Sequence, residues 1–241
     1  PQINASKADI SECAVSPIDT NGNIWIFVGD EAFRYNVRTN IGIPLCINAC
    51  SSDSNYSAAT FKDSATLYIG TKQHVFVGHI KGDEVVLEKI PALQENKINV
   101  NTLYYNSKHH TLLIGTEDAG IVAYKEDSGV AIHHKDVLPD VRVTKILPIN
   151  DSDDVIFSTN AVCVYQMSMS DCAPSPYIRA DFTTEYRMNT DNVSDICIDM
   201  DGQLWMCSFP KGLTICNANY PKFNWIRRSI LSNNTLINNG I

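Results

Sequence analysis

Residues Asp191 to Asn219 read DNVSDICIDMDGQLWMCSFPKGLTICNAN and contain three short apolar runs. These are Val193 with Ile196 and Ile198, then Leu204-Trp205-Met206-Cys207, then Leu213-Thr214-Ile215-Cys216. Asp201-Gly202 separates the first pair and Pro210-Lys211-Gly212 the second. Asp-Gly between alternating runs is a strong hairpin signal, because its residues accept the positive φ that a tight turn demands. The stretch is a three-stranded meander. A lone hairpin cannot bury its own faces, so the meander must stack on something like itself.

The chain supplies that partner by repetition. The second strand of the pattern recurs as NIWIFVG from Asn23, TLYIGT from Thr66, TLLIGT from Thr111, DVIFST from Asp154 and QLWMCS from Gln203. With Trp25, Tyr68, Leu113, Ile156 and Trp205 as equivalent markers, the spacings are 43, 45, 43 and 49 residues. A period of about 40 to 50 residues built from short strands marks propeller blades. Each marker follows an apolar run and a polar hairpin, as in Cys13-Ala14-Val15 with Thr20-Asn21-Gly22, and precedes a third strand such as Ile121 to Tyr124. A fourth, more variable strand follows most units, for example Val85 to Ile90 or Phe223 to Arg227.

The expected fold is all-β, a β-propeller of four-stranded antiparallel blades at about 8–49, 50–93, 94–137, 138–187 and 188–230, within one domain spanning 1–241. A β-sandwich also has many short strands, but not five aligned units at a near-constant period. Pro1 to Lys7 reads as a lead-in. Asp171 to Pro176, with two prolines, reads as an excursion that breaks the ladder and lengthens the last spacing. Residues 231–241 read either as a closing strand or as the start of a further blade in a longer array.

Composition narrows the partners. The chain has 241 residues, 44% apolar and 19% charged, enough for one large β domain. No apolar run reaches the roughly 18 residues of a membrane span, and no signal-peptide pattern opens the chain. A start at Pro1 is expected of a processed or excised piece. Net charge is −8, and no basic cluster exceeds Arg227-Arg228. Nucleic acid and anionic lipid, which need a basic footprint, are poor partners. Of eight cysteines, Cys13, Cys163, Cys197, Cys207 and Cys216 fall in apolar strands and read as small core hydrophobes. Cys46 and Cys50, in a loop, and Cys172 are the candidates for a disulfide.

The spacing of Val193, Ile196, Asp199, Gly202, Leu204, Trp205, Gly212 and Leu213 resembles the two-component regulator propeller repeat. Leu231-Ser232-Asn233-Asn234-Thr235-Leu236-Ile237 is similar to the linker that opens successive blades in that family. The likeness is strong in the fifth unit and in Asn21 to Trp25, and weaker where Tyr68, Leu113 and Ile156 replace the usual Trp. It implies the periplasmic sensor domain of a hybrid two-component histidine kinase of the kind common in Bacteroidetes. Such a domain would detect an oligosaccharide or related ligand, pair as a homodimer, and belong to a membrane-anchored parent whose kinase and DNA-binding parts lie outside this chain.

The residues themselves offer little catalysis. His109-His110 reads as a solvated hairpin tip and His133-His134 as an outer strand. Asp151, Asp153 and Asp154 form an acidic turn, too few oxygens for a hard-cation site. No nucleophile elbow, zinc-helix motif or phosphate-cradling loop is present, and no metal or cofactor is expected. A propeller enzyme acting on polysaccharide or lactone would have to gather its groups from separate blades; a protein-interaction scaffold is the third reading. Binding is expected on the loops between second and third strands, since loops on a rigid scaffold carry function. Those loops place Asp30, Glu31, Lys72, Gln73, His74, Glu117, Asp118, Asn160, Phe209 and Lys211 as the candidate ligand residues.

Overall fold

Period-2 alternation puts neighbouring side chains of a strand on opposite faces of its sheet, and the computed structural model shows what each face meets. It describes residues 13–217, apart from 30, 50–54, 95–96, 150–151, 163, 179–189 and 209–211. The lead-in, the strand read at Phe223 to Arg227, residues 231–241, Cys50 and Cys163 lie outside the described residues.

The fold is all-β. Blade one comprises β1 (Cys13–Val15), β2 (Asn23–Val28), β3 (Glu31–Asn36) and β4 (Ile41–Ala49). Blade two comprises β5 (Tyr56–Phe61), β6 (Thr66–Thr71), β7 (Val75–Lys81) and β8 (Glu84–Lys89). Blade three comprises β9 (Val100–Asn106), β10 (Thr111–Thr116), β11 (Ile121–Lys125) and β12 (Val130–His133). Blade four comprises β13 (Val143–Pro148), β14 (Asp154–Thr159), β15 (Val164–Ser168) and β16 (Pro174–Ile178). In the fifth, β17 (Asp195–Ile198), β18 (Gln203–Ser208) and β19 (Gly212–Asn217) form the meander. The chain divides into two compact units, Pro1–Ile146 and Leu147–Ile241, with the division inside β13.

In the first unit the middle strand β6 serves two cores. Leu67 and Ile69 of β6 join Trp25, Phe27 and Phe76 in one cluster, whereas Tyr68 joins Leu112, Ile114 and Val100 in the next. First strands are neighbours, β5 lying against both β1 and β9. Glycines set how closely the sheets approach. A Cβ on Gly70 would meet Val100 Cγ1 at 2.3 Å, and one on Gly115 would meet Thr102 Cγ2 at 2.5 Å and Val143 Cγ1 at 2.7 Å. Both sit one residue before the threonine that ends the marker strand. In the second unit Ile156 of β14 shares a core with Ile196, Leu204 and Met206.

Four expectations need correction. Blades one and two are not separate sheets: β4 outruns β3, and Cys46–Ala49 pairs in parallel with Glu84–Leu87 to make one eight-stranded sheet. The overhanging backbone groups need partners, and the free edge of β8 supplies them. Cys46 therefore lies in a strand, not a loop, as a free thiol, and Cys172 is buried. Cys13, Cys197 and Cys207 are exposed, on the outward positions of their strands, while Cys216 is buried as expected and its thiol pKa is pushed up to about 11 by burial. Finally, Pro174 and Pro176 do not break the ladder; they stand in β16, opposite Met167 and Tyr165, with a register shift near Tyr165. β16 is an edge strand, which tolerates proline's missing N–H.

Candidate functional site

Each marker strand in blades two to four ends in a threonine whose side chain is fully enclosed: Thr71, Thr116 and Thr159 are 0%, 1% and 0% exposed. A buried hydroxyl must be hydrogen-bonded, and here it closes the turn that follows. Thr71 Oγ1 accepts from the His74 N–H at 2.9 Å and donates to the His74 carbonyl at 3.1 Å. Thr116 Oγ1 accepts from the Ala119 N–H and donates to the Gly120 carbonyl, each at 2.8 Å. Thr159 Oγ1 accepts from the Val162 N–H at 3.0 Å. The same device recurs although the turns differ in length.

These turns are also fastened to the lead-ins of neighbouring first strands. The Ile98 N–H donates to the Gln73 carbonyl at 3.0 Å, Gly120 to Val141 at 2.9 Å, and Val193 to Thr159 at 2.9 Å. Backbone at the loop base is thus fixed by the fold, and the variable side chains stand on it.

Of the sequence-derived ligand residues, Lys72, Gln73, Asp118 and Asn160 are exposed at the tips, and Glu31, His74 and Glu117 are half-buried. Asp30, Phe209 and Lys211 lie outside the described residues. Glu31 opens β3 opposite Val28, and His74 meets the Phe76 ring edge-on at 6.1 Å. Glu117 is the most constrained: Arg142 Nε lies 3.1 Å from its Oε2, an Arg142 terminal nitrogen donates to Asn101 Oδ1 at 3.1 Å, and Asn101 donates to the Val143 carbonyl at 2.7 Å. Arg142 and Asn101 were not read from the sequence, and lie 41 residues apart. The exposed half of this network is solvent-screened, so the ion pair is worth only about 0–1 kcal/mol. It orients more than it stabilises.

The hairpins that join first and second strands carry a second polar system. In blades one and five the pattern Asp-x-x-Gly makes the same turn twice. Asp19 Oδ1 accepts from the Asn21 and Asn23 N–H groups at 2.8 Å each, and Asp199 Oδ1 from Asp201 at 3.0 Å and Gln203 at 2.8 Å. Gly22 and Gly202 hold φ of +82° and +74°, a region that excludes most side chains. Burial pushes the Asp19 carboxyl up, but hydrogen bonds from Asn23, Asn21 and Gly22 outweigh it and hold its pKa below the ordinary value. The hydrogen bond from the Trp205 indole, at 2.7 Å, and those from the turn do the same for Asp199.

Between blades two and three, Glu126 gathers donors from three strands and turns. Lys62 Nζ lies 2.8 Å from Oε1, the Tyr105 hydroxyl donates to Oε2 at 2.6 Å, and the Tyr68 hydroxyl donates to Oε1. Burial raises the Glu126 pKa, and the bonds from Lys62, Tyr105 and Tyr68 lower it further than that. Burial and the Glu126 charge push both tyrosine hydroxyls well up, so they stay protonated donors. The sequence pattern did not signal this cluster, whose members stand up to 64 residues apart.

His110 sits at a hairpin tip, 2.9 Å from Asp127, and His133 ends β12. Among the described residues no three His, Cys, Asp or Glu side chains gather as metal ligands would.

No model of a known protein family matches the chain, and no curated protein matches it. Solved structures do. The extracellular domain of the putative hybrid two component system BT4673 from B. thetaiotaomicron matches with a TM-score of 0.65 at 13% identity, over 84% of this chain and 26% of that one. A second structure of that extracellular domain, there called a putative one component system, gives 0.64 at 13% identity, over 89% and 27%. The extracellular domain of BT3049 from the same organism gives 0.54 at 15%, over 94% and 36%. What is shared is the fold. The chain spans about a quarter to a third of the length of these structures.

Proposed function

We propose that this chain is a ligand-sensing propeller segment from the extracytoplasmic part of a hybrid two-component sensor, held in the periplasm. The fold shared over 84% of the chain with such an extracellular domain carries this reading. Its ligand is an oligosaccharide or related glycan product, bound by the exposed loop residues Lys72, Gln73 and Asp118, with Glu117 and His74 behind them. The threonine-closed bases support this role, because a preformed site loses less entropy on binding. Paired sensor chains then shift population between two arrangements as ligand favours one, and the kinase lies outside this chain. The chain itself performs no chemistry in this scheme.

The test is a thermal melt of the 241-residue chain against a panel of oligosaccharides. A ligand that binds only the folded state raises the midpoint, by about 2.7 kcal/mol of stability at a hundredfold excess over Kd. Replacing Lys72, Gln73 and Asp118 together with alanine should abolish the rise. A rise that survives this triple replacement would sink the site; no rise with any glycan would sink the ligand class.

A further inference from the structure

A cavity of about 430 Å³ opens between the β1–β2 hairpin and the β5–β6 hairpin. Asp19, Asp63, Thr60, Ser64, Trp25 and Phe61 line it, and none of its lining residues is basic. It lies at the opposite end of the strands from the loops discussed above.

The equivalent place one repeat on shows what such a junction needs. Tyr68 stands at the marker position of Trp25; Tyr105, opposite Leu112, stands at the position of Phe61, opposite Leu67. Both aromatic pairs meet across their junctions, with centroids 6.2 Å apart for Trp25 and Phe61 and 5.5 Å for Tyr68 and Tyr105. At the second junction the chain fills the space itself. Glu126 supplies an acceptor for both tyrosine hydroxyls, and Lys62 supplies the cation.

At the first junction neither is supplied. The Trp25 side chain is buried, and its indole N–H has no acceptor. In blade five the matching indole donates to Asp199, but here Asp19 Oδ2 is taken by the Asn23 side-chain amide at 2.9 Å. Asp63 commits Oδ1 to the Ala65 N–H at 2.8 Å, which leaves Oδ2 for another donor. The nearby Arg34 guanidinium, 5.8 Å from the Trp25 ring centroid, is held by Asp83 at 2.8 Å and does not line the cavity.

We infer that this cavity binds small ligands carrying an ammonium group beside an oxygen acceptor. They supply from outside what Lys62 and Glu126 supply at the next junction. The ammonium faces Asp19 and Asp63, its carbon stem lies against the Phe61 and Trp25 rings, and the oxygen accepts from the Trp25 indole. Because that N–H lies behind the wall, the oxygen reaches it through a small shift of the hairpin tip. The carboxylates therefore provide most of the discrimination: a neutral polyol lacks the charge, and a carboxylic acid brings the wrong one.

The experiment is an NMR titration of the ¹⁵N-labelled chain, read at the indole N–H signals of its three tryptophans. Loss of one signal in Trp25→Phe assigns Trp25. Two matched pairs of probes are used, ethanolamine against ethylene glycol and glucosamine against glucose. The amines should shift the Trp25 signal saturably and leave that of Trp205 in place, with the neutral partners roughly tenfold weaker or worse. Asp63→Asn keeps the oxygen that caps Ala65 and should weaken amine binding about tenfold. Should that variant fail to fold, the intact chain still decides, because recognition by charge weakens as salt rises. Equal shifts from the neutral partners, an insensitivity to salt, or an unmoved Trp25 signal would each overturn the proposal. Replacing Lys72, Gln73 and Asp118 leaves this binding unchanged, so failure here is distinguishable from failure of the loop site.

Discussion

Strands β10 and β18 hold the same place in their repeats and live in different surroundings. All six residues of β10 are buried, so Leu113 packs on one side of the sheet and Leu112 and Ile114 on the other. In β18 only Leu204, Met206 and Ser208 are buried. The other face carries Cys197, Trp205 and Ile215 in one cross-strand row, with Ile215 42% and neighbouring Leu213 51% exposed. The two strands differ little in apolar content. A blade's identity lies in its own sequence, but its stability depends on what its neighbours cover.

Five substitutions probe that contrast, in falling order of expected effect. Leu113→Ala removes a side chain enclosed on all sides and should cost about 2–5 kcal/mol in denaturant unfolding. Gly115→Ala should cost about 1–3 kcal/mol, since the new methyl would press on Thr102 and Val143. A neutral result there would mean that the sheets are not held at this separation.

Glu126→Gln removes the charge that three donors share and should cost about 1–3 kcal/mol at neutral pH. The sign with pH follows from its depressed folded pKa. The unfolded carboxyl takes up its proton first, near the ordinary 4.5, so the contribution is full above that value and fades as pH falls below it. The variant should therefore lose less stability on acidification than the parent chain; an identical acid profile would show that Glu126 is not the group concerned.

Thr116→Val keeps the shape and deletes the bonds that close the turn, leaving the Ala119 N–H without its partner. A loss of about 1–2 kcal/mol is expected, with faster amide exchange at Ala119 as the local readout. Ile215→Thr, on the open face of β19, should stay within about 0.5 kcal/mol. If it cost as much as Leu113→Ala, the difference between the third and fifth blades would be unreal.

Much of the blade pattern was legible because it is local. Hairpins announced themselves by Asp-x-x-Gly, strands by alternation, and repeats by the spacing of Trp25, Tyr68, Leu113, Ile156 and Trp205. Errors arose where a residue's fate depends on an edge. Pro174 with Pro176 looked like a break, yet an edge strand accommodates them. Cysteines in apolar runs looked like core, yet Cys197 and Cys207 lie on a face with little covering them. Of the candidate site, the loops and their exposed tips were readable; Arg142 and Asn101, which hold Glu117, were not.

By itself the sequence determined the unit, since turn chemistry and a two-residue period act between residues close in the chain. Tertiary structure decided which faces are buried, that β4 crosses to pair with β8, that Glu126 collects Lys62, Tyr68 and Tyr105, and that the matching junction beside Trp25 is left open. Those outcomes turn on groups brought together from tens of residues apart, where hydrogen-bond satisfaction and close packing, not local propensity, choose the partner.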